Sequence, residues 1–437
     1  MPPPDLQDAF HDLPAAPLLV GYSGGLDSTV LLHALSRHAP GRVRAVHVDH
    51  GLQAAAGEWA AHCHSTCAAW SVPFEVRRVD VHLAGQGPEA AARTARMQAL
   101  EAALGPDEVL VLAHHREDQA ETFLLRALRG SGVDGLAAMR RWRGFGNGRL
   151  WRPLLDTSRA ALEAHAREHG LAWVEDPGNA EAGFDRNFLR NRVLPLLVSR
   201  WPHASASLAR SAALCAEAST LLASHDEAML TQVVGDPPDR LSRLALGALE
   251  PGMQARVLRA WVELLGLPPL PAGGVERIQR ELLHAPADAV ARYHWHGCWI
   301  HAWRDMLHAG HVAEALPPGW ETTWNGTGPC PLPGGGWLEL SPRPHAPRPM
   351  RVHVRRGGER IRLPGRSHTH ALKHVLQELG IPPWERTRMP LLSTPGGVVL
   401  AAGDQVLSGA FADWLTSQGS TLHWRCADRT GTATPSD

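Results

Sequence analysis

The densest chemistry in the chain lies in one short segment, Ser23-Gly24-Gly25-Leu26-Asp27-Ser28. It follows an apolar run, Pro17 to Tyr22, and opens a helical stretch, Leu26 to His38. A strand, a loop with two glycines and a helix start together form a phosphate cradle. Glycine removes the Cβ that would block close approach, and the helix start offers free N–H groups and a partial positive charge. Ser23 and Ser28 add hydroxyls. Asp27 repels bare phosphate, so it makes sense there only with a cation between, which predicts Mg²⁺ held at Asp27. The spacing is neither GxxxxGK[ST] nor GxGxxG. A second cluster is His114-His115-Arg116-Glu117-Asp118-Gln119-Ala120-Glu121. Asp118 and Glu121, three apart, share one face of a predicted helix. As a carboxylate pair they suit a cationic amino acid; the alternative is a solvated first helical turn, where acids are favoured anyway. His114 and His115 are candidates for phosphate or base-edge contact, or for a structural role. Arg186, Arg190 and Arg192 are candidates to neutralise phosphates, against the plainer reading of helix-surface arginines.

The elements that must position these groups alternate. Strands are expected at Pro17–Tyr22, Arg42–Val48, Phe74–Val79 and Glu108–Ala113. Helices are expected at Leu26–His38, Glu58–Trp70, Pro88–Leu104 and Glu117–Arg129, with another at Thr157–Gly170 capped by Thr157 or Ser158. Strands spaced by such helices make βαβ units and a parallel sheet. Ligands then sit at the carboxyl ends of the strands. Ser23, Asp49 and His50, and His114 and His115 all fall there. Gly144 to Gly148 reads as a turn-rich break. From Pro202 to about Leu283 an Ala- and Leu-rich stretch reads as a helical middle region. Pro317 to Pro349, with Pro331-Leu-Pro-Gly-Gly-Gly336, reads as a linker or a loop-rich β region.

The chain has 437 residues, enough for two to three domains. Hydrophobic residues at 44% and charged residues at 20% describe a globular chain, and no apolar run reaches the roughly 20 residues of a membrane span. The N-terminus has no secretory pattern, and six irregularly spaced cysteines suggest free thiols, so a cytoplasmic location is expected. The net charge of -1 hides local surpluses. Arg343 to Lys373 holds eight arginines and one lysine against Glu359 alone. Arg126, Arg129, Arg140, Arg141, Arg143, Arg149 and Arg152 face only Asp134. Either run suits phosphate contact or a solvated basic face.

SGGxDS resembles the signature of the N-type ATP pyrophosphatases, or PP-loop enzymes, whose adenine nucleotide alpha hydrolase-like fold releases pyrophosphate and leaves AMP on a substrate oxygen. Further segments narrow the likeness: Ala45-Val-His-Val-Asp-His-Gly-Leu52, Ala113 to Thr122, Arg129 to Leu136, Arg152-Pro-Leu-Leu155, Glu175-Asp-Pro-Gly-Asn179 and Arg186-Asn-Phe-Leu-Arg-Asn-Arg192. Together with Arg355 to Gly365 and Gly380 to Arg386, they resemble the tRNA(Ile)-lysidine synthase family. That resemblance implies a parallel-sheet PP-loop catalytic domain over 1–200 and a helical tRNA-binding middle domain over 201–316. It also implies a small α+β tRNA-binding C-terminal domain over 350–428, after a linker or loop region at 317–349, with a disordered tail at 429–437. The implied reaction uses ATP to adenylate the 2-carbonyl oxygen of the wobble cytidine in an isoleucine tRNA with a CAU anticodon. The ε-amine of free lysine then displaces AMP to give lysidine. Ser23, Gly24, Gly25, Leu26, Asp27 and Ser28 would hold ATP, with Asp49, His50, His114 and Arg190 around it. Asp118 and Glu121, with Arg93 on the carboxylate, would hold lysine; Asp27, Asp118 and Glu121 would be catalytic. A homodimer fits the family.

Two features compete. His62-Cys63-His64 with Cys67 offers two thiols on one helical face, read as a metal site or as buried helix cysteines. Trp295, Trp299 and Trp303 recur every four residues, read as a core stripe or as base-stacking groups. The rival functions are a tRNA thiolase on the same scaffold, which needs a catalytic cysteine or cluster, and a non-catalytic RNA-binding protein.

Overall fold

The computed structural model describes residues 6–51, 56–80, 88–175, 185–286 and 289–425. Leu52 and Asp176 to Asn179 of the quoted motifs, Cys426 and the tail at 429–437 lie outside them. The chain forms two compact units, Met1–Ala223 and Ser224–Asp437.

The first unit follows the expected alternation. It runs β1 (Leu18–Gly21), α1 (Leu26–His38), β2 (Val43–Asp49), α2 (Ala56–Ala69), β3 (Phe74–Arg78), α3 (Pro88–Ala103), β4 (Val109–Val111) and α4 (Arg116–Leu128). A short α5 (Val133–Leu136), β5 (Trp142–Phe145) and β6 (Gly148–Trp151) follow, then α6 (Arg159–Glu168), α7 (Asp185–Phe188), a π-helical turn (Leu189–Val193), α8 (Leu194–Arg200) and α9 (Ala204–Val233), whose last turns belong to the second unit. The sheet order is β3-β2-β1-β4-β6-β5, parallel except for the β5 edge. The turn-rich break at Gly144 to Gly148 is therefore the hinge of an added hairpin. Leu18, Leu19 and Val20 are fully buried, as are Leu110 and Val111, so both sheet faces are covered. Continuous apolar strands are what a doubly covered parallel sheet requires. Chain order reverses between β1 and β4, which opens a crevice at their carboxyl ends.

The second unit starts with β7 (Arg240–Ser242), α10 (Arg243–Gly247), α11 (Pro251–Leu264), α12 (Ala272–Arg277) and a π-helical turn (Ile278–Leu282). The helices expected up to Leu283 are there. They pack against an antiparallel sheet that the sequence reading did not anticipate, formed by β7 with β8 (Ala291–Trp295), β9 (Cys298–Trp303) and β10 (Met306–His311) in the order β7-β10-β9-β8. Val257, Leu258 and Trp261 from α11 meet Ile300 and Leu307 in its core. Trp295, Trp299 and Trp303 lie on a β-hairpin; Trp295 is buried, and the other two meet Trp384.

The remainder is α+β: β11 (Glu321–Trp324), β12 (Cys330–Pro331), β13 (Trp337–Ser341), β14 (Met350–His353), β15 (Arg360–Ile361), β16 (His370–Ala371), α13 (Leu372–Glu378), α14 (Pro383–Arg388), β17 (Leu391–Ser393), β18 (Val399–Ala402), β19 (Val406–Leu407), α15 (Gly409–Gln418) and β20 (Thr421–Arg425). Sheets β11-β14-β17-β18-β19 and β12-β13-β20 share a core around Phe411, Leu338 and Met350. Residues 317–349 supply β11 and β13, which pair with β14 and β20. Among the described residues no helix is long and apolar enough to cross a membrane.

Candidate active site

The phosphate loop is built by the turn from β1 into α1. Gly24 sits at φ +81, and a Cβ there would fall 2.9 Å from Cys63 Sγ. Only glycine satisfies both the backbone and the space. Ser28 Oγ lies 3.0 Å from Ser23 Oγ, accepts the Ser23 N–H at 3.2 Å and donates to the Gly25 carbonyl at 3.1 Å. Thr29 donates to the Gly24 carbonyl at 3.3 Å, and the Val174 N–H reaches the same oxygen at 2.9 Å. The loop is thus held by the protein's own hydrogen bonds. Leu26 is buried beneath it.

Asp27 extends from the first turn of α1 toward the ends of β4 and α6. Its Oδ2 lies 3.6 Å from His115 Nε2 and 3.9 Å from Arg159 Nη1, while its Oδ1 is buried with no hydrogen-bond partner. Burial raises its pKa, against the pull of His115 and Arg159. A buried carboxylate oxygen with no protein donor, beside a phosphate-type loop, fits a divalent cation.

His115 is the N-cap of α4 and almost wholly buried among three carboxylates. Its Nδ1 meets Glu117 Oε2 at 2.9 Å, and its Nε2 lies 3.5 Å from Asp118 Oδ2 as well as near Asp27. Burial works against its charge. The Glu117 hydrogen bond and the charges of Asp118 and Asp27 outweigh that and raise its pKa. Glu117 also accepts the backbone N–H of Arg159 at 2.9 Å. It therefore ties α4 to α6, whose N-cap is Ser158. His114 has the opposite character. Its Nδ1 accepts from Arg152 Nε at 3.2 Å, and burial lowers its pKa well below the ordinary imidazole value.

Asp118 and Glu121 face the same way from α4, and both carry cations already. Arg186 donates to Glu121 Oε2 at 2.7 Å and to Asp118 Oδ1 at 2.9 Å. Arg190 donates to Glu121 Oε1 at 2.6 Å, Glu121 Oε2 at 3.0 Å and Asp118 Oδ1 at 2.8 Å. Asp118 Oδ2 accepts the His115 backbone N–H at 3.0 Å, so the residue also caps its helix, as an acid at that position should. Burial opposes its charge, yet His115, Arg186 and Arg190 hold its pKa far below the usual carboxylate range. Arg190 in turn has its pKa raised: burial opposes this, and Glu121, Asp118 and Asp27 prevail.

The structure links Asp27 to Asp118 through His115, and Asp118 to Glu121 through Arg190, with His114 close enough to feel the Asp118 charge; Ser23 lies in the loop against Ser28. Asp49 is the last residue of β2, one position earlier than expected, and His50 follows the strand. Asp49 accepts the Gly51 N–H at 2.9 Å and lies 3.8 Å from Arg78 Nε. His50 is held low by burial and by Arg96. Arg93 is exposed on α3; Arg96, one turn on, is the half-buried cation near His50, His114 and Asp118. Reading the sequence by type missed Arg96, Glu117 and Arg159. Arg96 was legible as the same-face neighbour of Arg93. Arg159 was not, because α6 enters the site from 41 residues beyond Asp118. Of the arginine run, Arg140, Arg141 and Arg152 serve internal contacts with Ala216, Asp12 and His114. Cys63 and Cys67 are buried on α2, and burial pushes both thiols up to about 12.

Three family models match the chain: a PP-loop domain at residues 4–197, a TilS substrate binding domain at 241–308 and a TilS substrate C-terminal domain at 350–424. The chain is 49% identical over 420 residues to a tRNA(Ile)-lysidine synthase of Xanthomonas campestris pv. campestris (strain 8004), covering 95% of this chain and 96% of the relative. It is 48% identical to the tRNA(Ile)-lysidine synthase of Xylella fastidiosa (strain Temecula1 / ATCC 700964), over 95% and 97%. It is 40% identical to that of Methylococcus capsulatus (strain ATCC 33009 / NCIMB 11132 / Bath), over 94% and 97%.

Proposed function

The chain belongs to the tRNA(Ile)-lysidine synthase family, and from that premise we propose that it joins free L-lysine to the wobble cytidine of a CAU-anticodon isoleucine tRNA at the expense of ATP. The observation that carries this reading is His115. It lies within 3.6 Å of Asp27 on the phosphate loop and 3.5 Å of Asp118 in the carboxylate pair. One imidazole thus joins a group suited to activation with a group suited to an amine.

The loop from Ser23 to Ser28 receives the ATP phosphates, with Asp49 and His50 toward the nucleoside. Mg²⁺ would be held by Asp27 and would neutralise phosphate charge. The cytosine 2-oxygen attacks the α-phosphorus and pyrophosphate leaves, which turns a poor leaving group into AMP. The nucleophile must then be a neutral amine, although a free lysine amine has a pKa of about 10.4. Asp118 and Glu121 orient the ammonium and Arg93 holds its carboxylate. The ammonium gives its proton to the Glu121 carboxylate, rather than to Asp118 with its strongly lowered pKa, before the nitrogen attacks C2 and AMP departs. Arg190 contributes positive charge where pyrophosphate forms. The basic run from Arg343 to Lys373 meets tRNA phosphates, and Arg351 and Arg356 in it are preset by Glu321 at 2.6 and 2.7 Å. The thiolase reading is disfavoured at Cys63 and Cys67, whose raised thiol pKa values are the reverse of what a nucleophilic thiolate needs.

The test combines the protein with ATP, Mg²⁺, labelled lysine and the CAU tRNA. Label entering the tRNA with AMP release is expected; AMP release indifferent to lysine would sink the reading. Asp27→Ala should abolish pyrophosphate release and leave tRNA binding largely intact. Weakened tRNA binding with normal pyrophosphate release would remove Asp27 from its assigned role.

A further inference from the structure

Every oxygen of the carboxylate pair is already engaged. Glu121 is fully buried, with Oε1 taken by Arg190 and Oε2 shared by both arginines. Asp118 Oδ1 is shared by both, and Oδ2 is taken by the His115 N–H. The arginine side chains retain 23% and 28% of their surface against 11% and 0% for the acids, so the guanidiniums form the outer layer. Two acids and two guanidiniums balance. An incoming ammonium meets oxygens that each already accept at least one hydrogen bond, and its charge would be uncompensated if both arginines stayed. Arg190 makes three of the five hydrogen bonds and is the more exposed of the two arginines, and the Asp118 that it grips shares His115 with Asp27 of the phosphate loop at 3.5 and 3.6 Å; the opposite charges of Arg190 and Asp27 also favour each other. Both arginines project from α7 and the π-helical turn that extends it, a helix form that concentrates at functional sites.

We propose that Arg190 is an exchangeable latch on the amino-acid site, released when a polyphosphate occupies the neighbouring loop. The inference rests on the assignment of Asp118 and Glu121 to the lysine ammonium. In the arrangement described, Arg190 occupies the carboxylates. Polyphosphate gives its guanidinium an alternative anion, and the vacated oxygens accept the ammonium. Nucleotide and lysine therefore bind with positive coupling, and thermodynamic linkage requires the same factor in both directions. The acids alone would bind a cation in any state; the latch confines lysine to the nucleotide-loaded state.

Calorimetry of lysine binding to the full-length protein, without tRNA, decides the matter. In the wild type, Mg²⁺ with inorganic pyrophosphate or a non-hydrolysable ATP analogue should tighten lysine at least tenfold, and lysine should tighten the analogue equally. Arg190→Gln should bind lysine without nucleotide about as tightly as the loaded wild type does, with coupling near one. Equal wild-type lysine affinity with and without the analogue overturns the latch, as does undiminished coupling in Arg190→Gln. Should that variant fail to fold, the wild-type measurement decides alone, and Arg190→Lys should show reduced coupling. Glu121→Gln separates the two layers. Unchanged lysine binding in that variant rejects the amino-acid site itself; lost binding beside a coupling that ignores residue 190 rejects only the latch.

Discussion

Gly24 is constrained twice. Its φ of +81 is left-handed, and a Cβ would lie 2.9 Å from Cys63 Sγ. A left-handed alanine costs about 1–2 kcal/mol, and overpacking adds about 1–3 kcal/mol. Gly24→Ala should therefore lower stability by about 3 kcal/mol in denaturant unfolding. Cys63→Ala removes the collision but not the backbone term, so Gly24→Ala should cost at least about 1 kcal/mol less in that background. Strict additivity of the two changes would show that the thiol does not limit the loop. The pair also explains why Cys63 reads ambiguously in sequence. Its spacing to Cys67 suggests ligands, while its neighbour in space is a glycine 39 residues earlier. Residue types at strand ends were legible because parallel-sheet topology delivers them to one edge: Ser23, Asp27, His114, Asp118 and Glu121 were all found that way. Their counter-ions were not assigned. Arg186 and Arg190 were read as phosphate ligands from their charge, and nothing local reports that they close on acids 65 to 72 residues away.

Elements repeat the pattern. Strand and helix in the first unit followed from alternation of apolar runs, and the observed ends differ from the expected ones by a residue or two for most of them. The sheet of the second unit was missed because β8, β9 and β10 are rich in His and Trp and lack long β-branched runs. β8 and β9 are joined by a tight turn at His296-Gly297, both with positive φ, a hairpin device visible only locally. What holds α14 to that sheet is Trp384. Its ring lies 4.7 Å from His301, 5.2 Å from His308, 5.4 Å from Trp299 and 6.2 Å from Trp303. Arg304 reinforces the contact by donating to the Gln377 carbonyl at 2.9 Å. Truncating a half-buried tryptophan forfeits less than the roughly 3–5 kcal/mol of a fully buried one. Trp384→Ala should then cost about 2 kcal/mol and lower the melting temperature by about 4–8 °C. A change below 1 °C would mean that α14 is held elsewhere, and an altered pyrophosphate exchange rate would mean that the clasp is not purely structural.

Across the whole molecule, buried imidazoles set the response to acid. Burial pushes His33 down to about 4, aided by His165 and His169. It pushes His301 down to about 3, aided by Arg292, and His308 to about 4, aided by Arg240. His114 is held low by the same cause. Each is neutral in the fold but binds a proton in the unfolded chain below about pH 6.5. The unfolded state then carries more protons, and stability rises with pH by up to about 1.4 kcal/mol per unit for each such group. Their contribution is complete above pH 6.5 and is lost as pH falls toward their folded values. His115, with its raised pKa, acts in the opposite sense, but its contribution is already full below pH 6.5. The lowered carboxylates Asp118 and Asp12, the latter at about 2, lose theirs only below about pH 4. Between pH 7 and 5 the lowered histidines consequently dominate, on both units. Melting temperature should fall steadily over that interval, by the equivalent of about 2–4 kcal/mol. His308→Gln should flatten the slope for the second unit, because the glutamine cannot protonate in either state. A melting temperature that is level or rises from pH 7 to 5 would mean that these rings, including His301 and His308 against Trp384, are not held neutral.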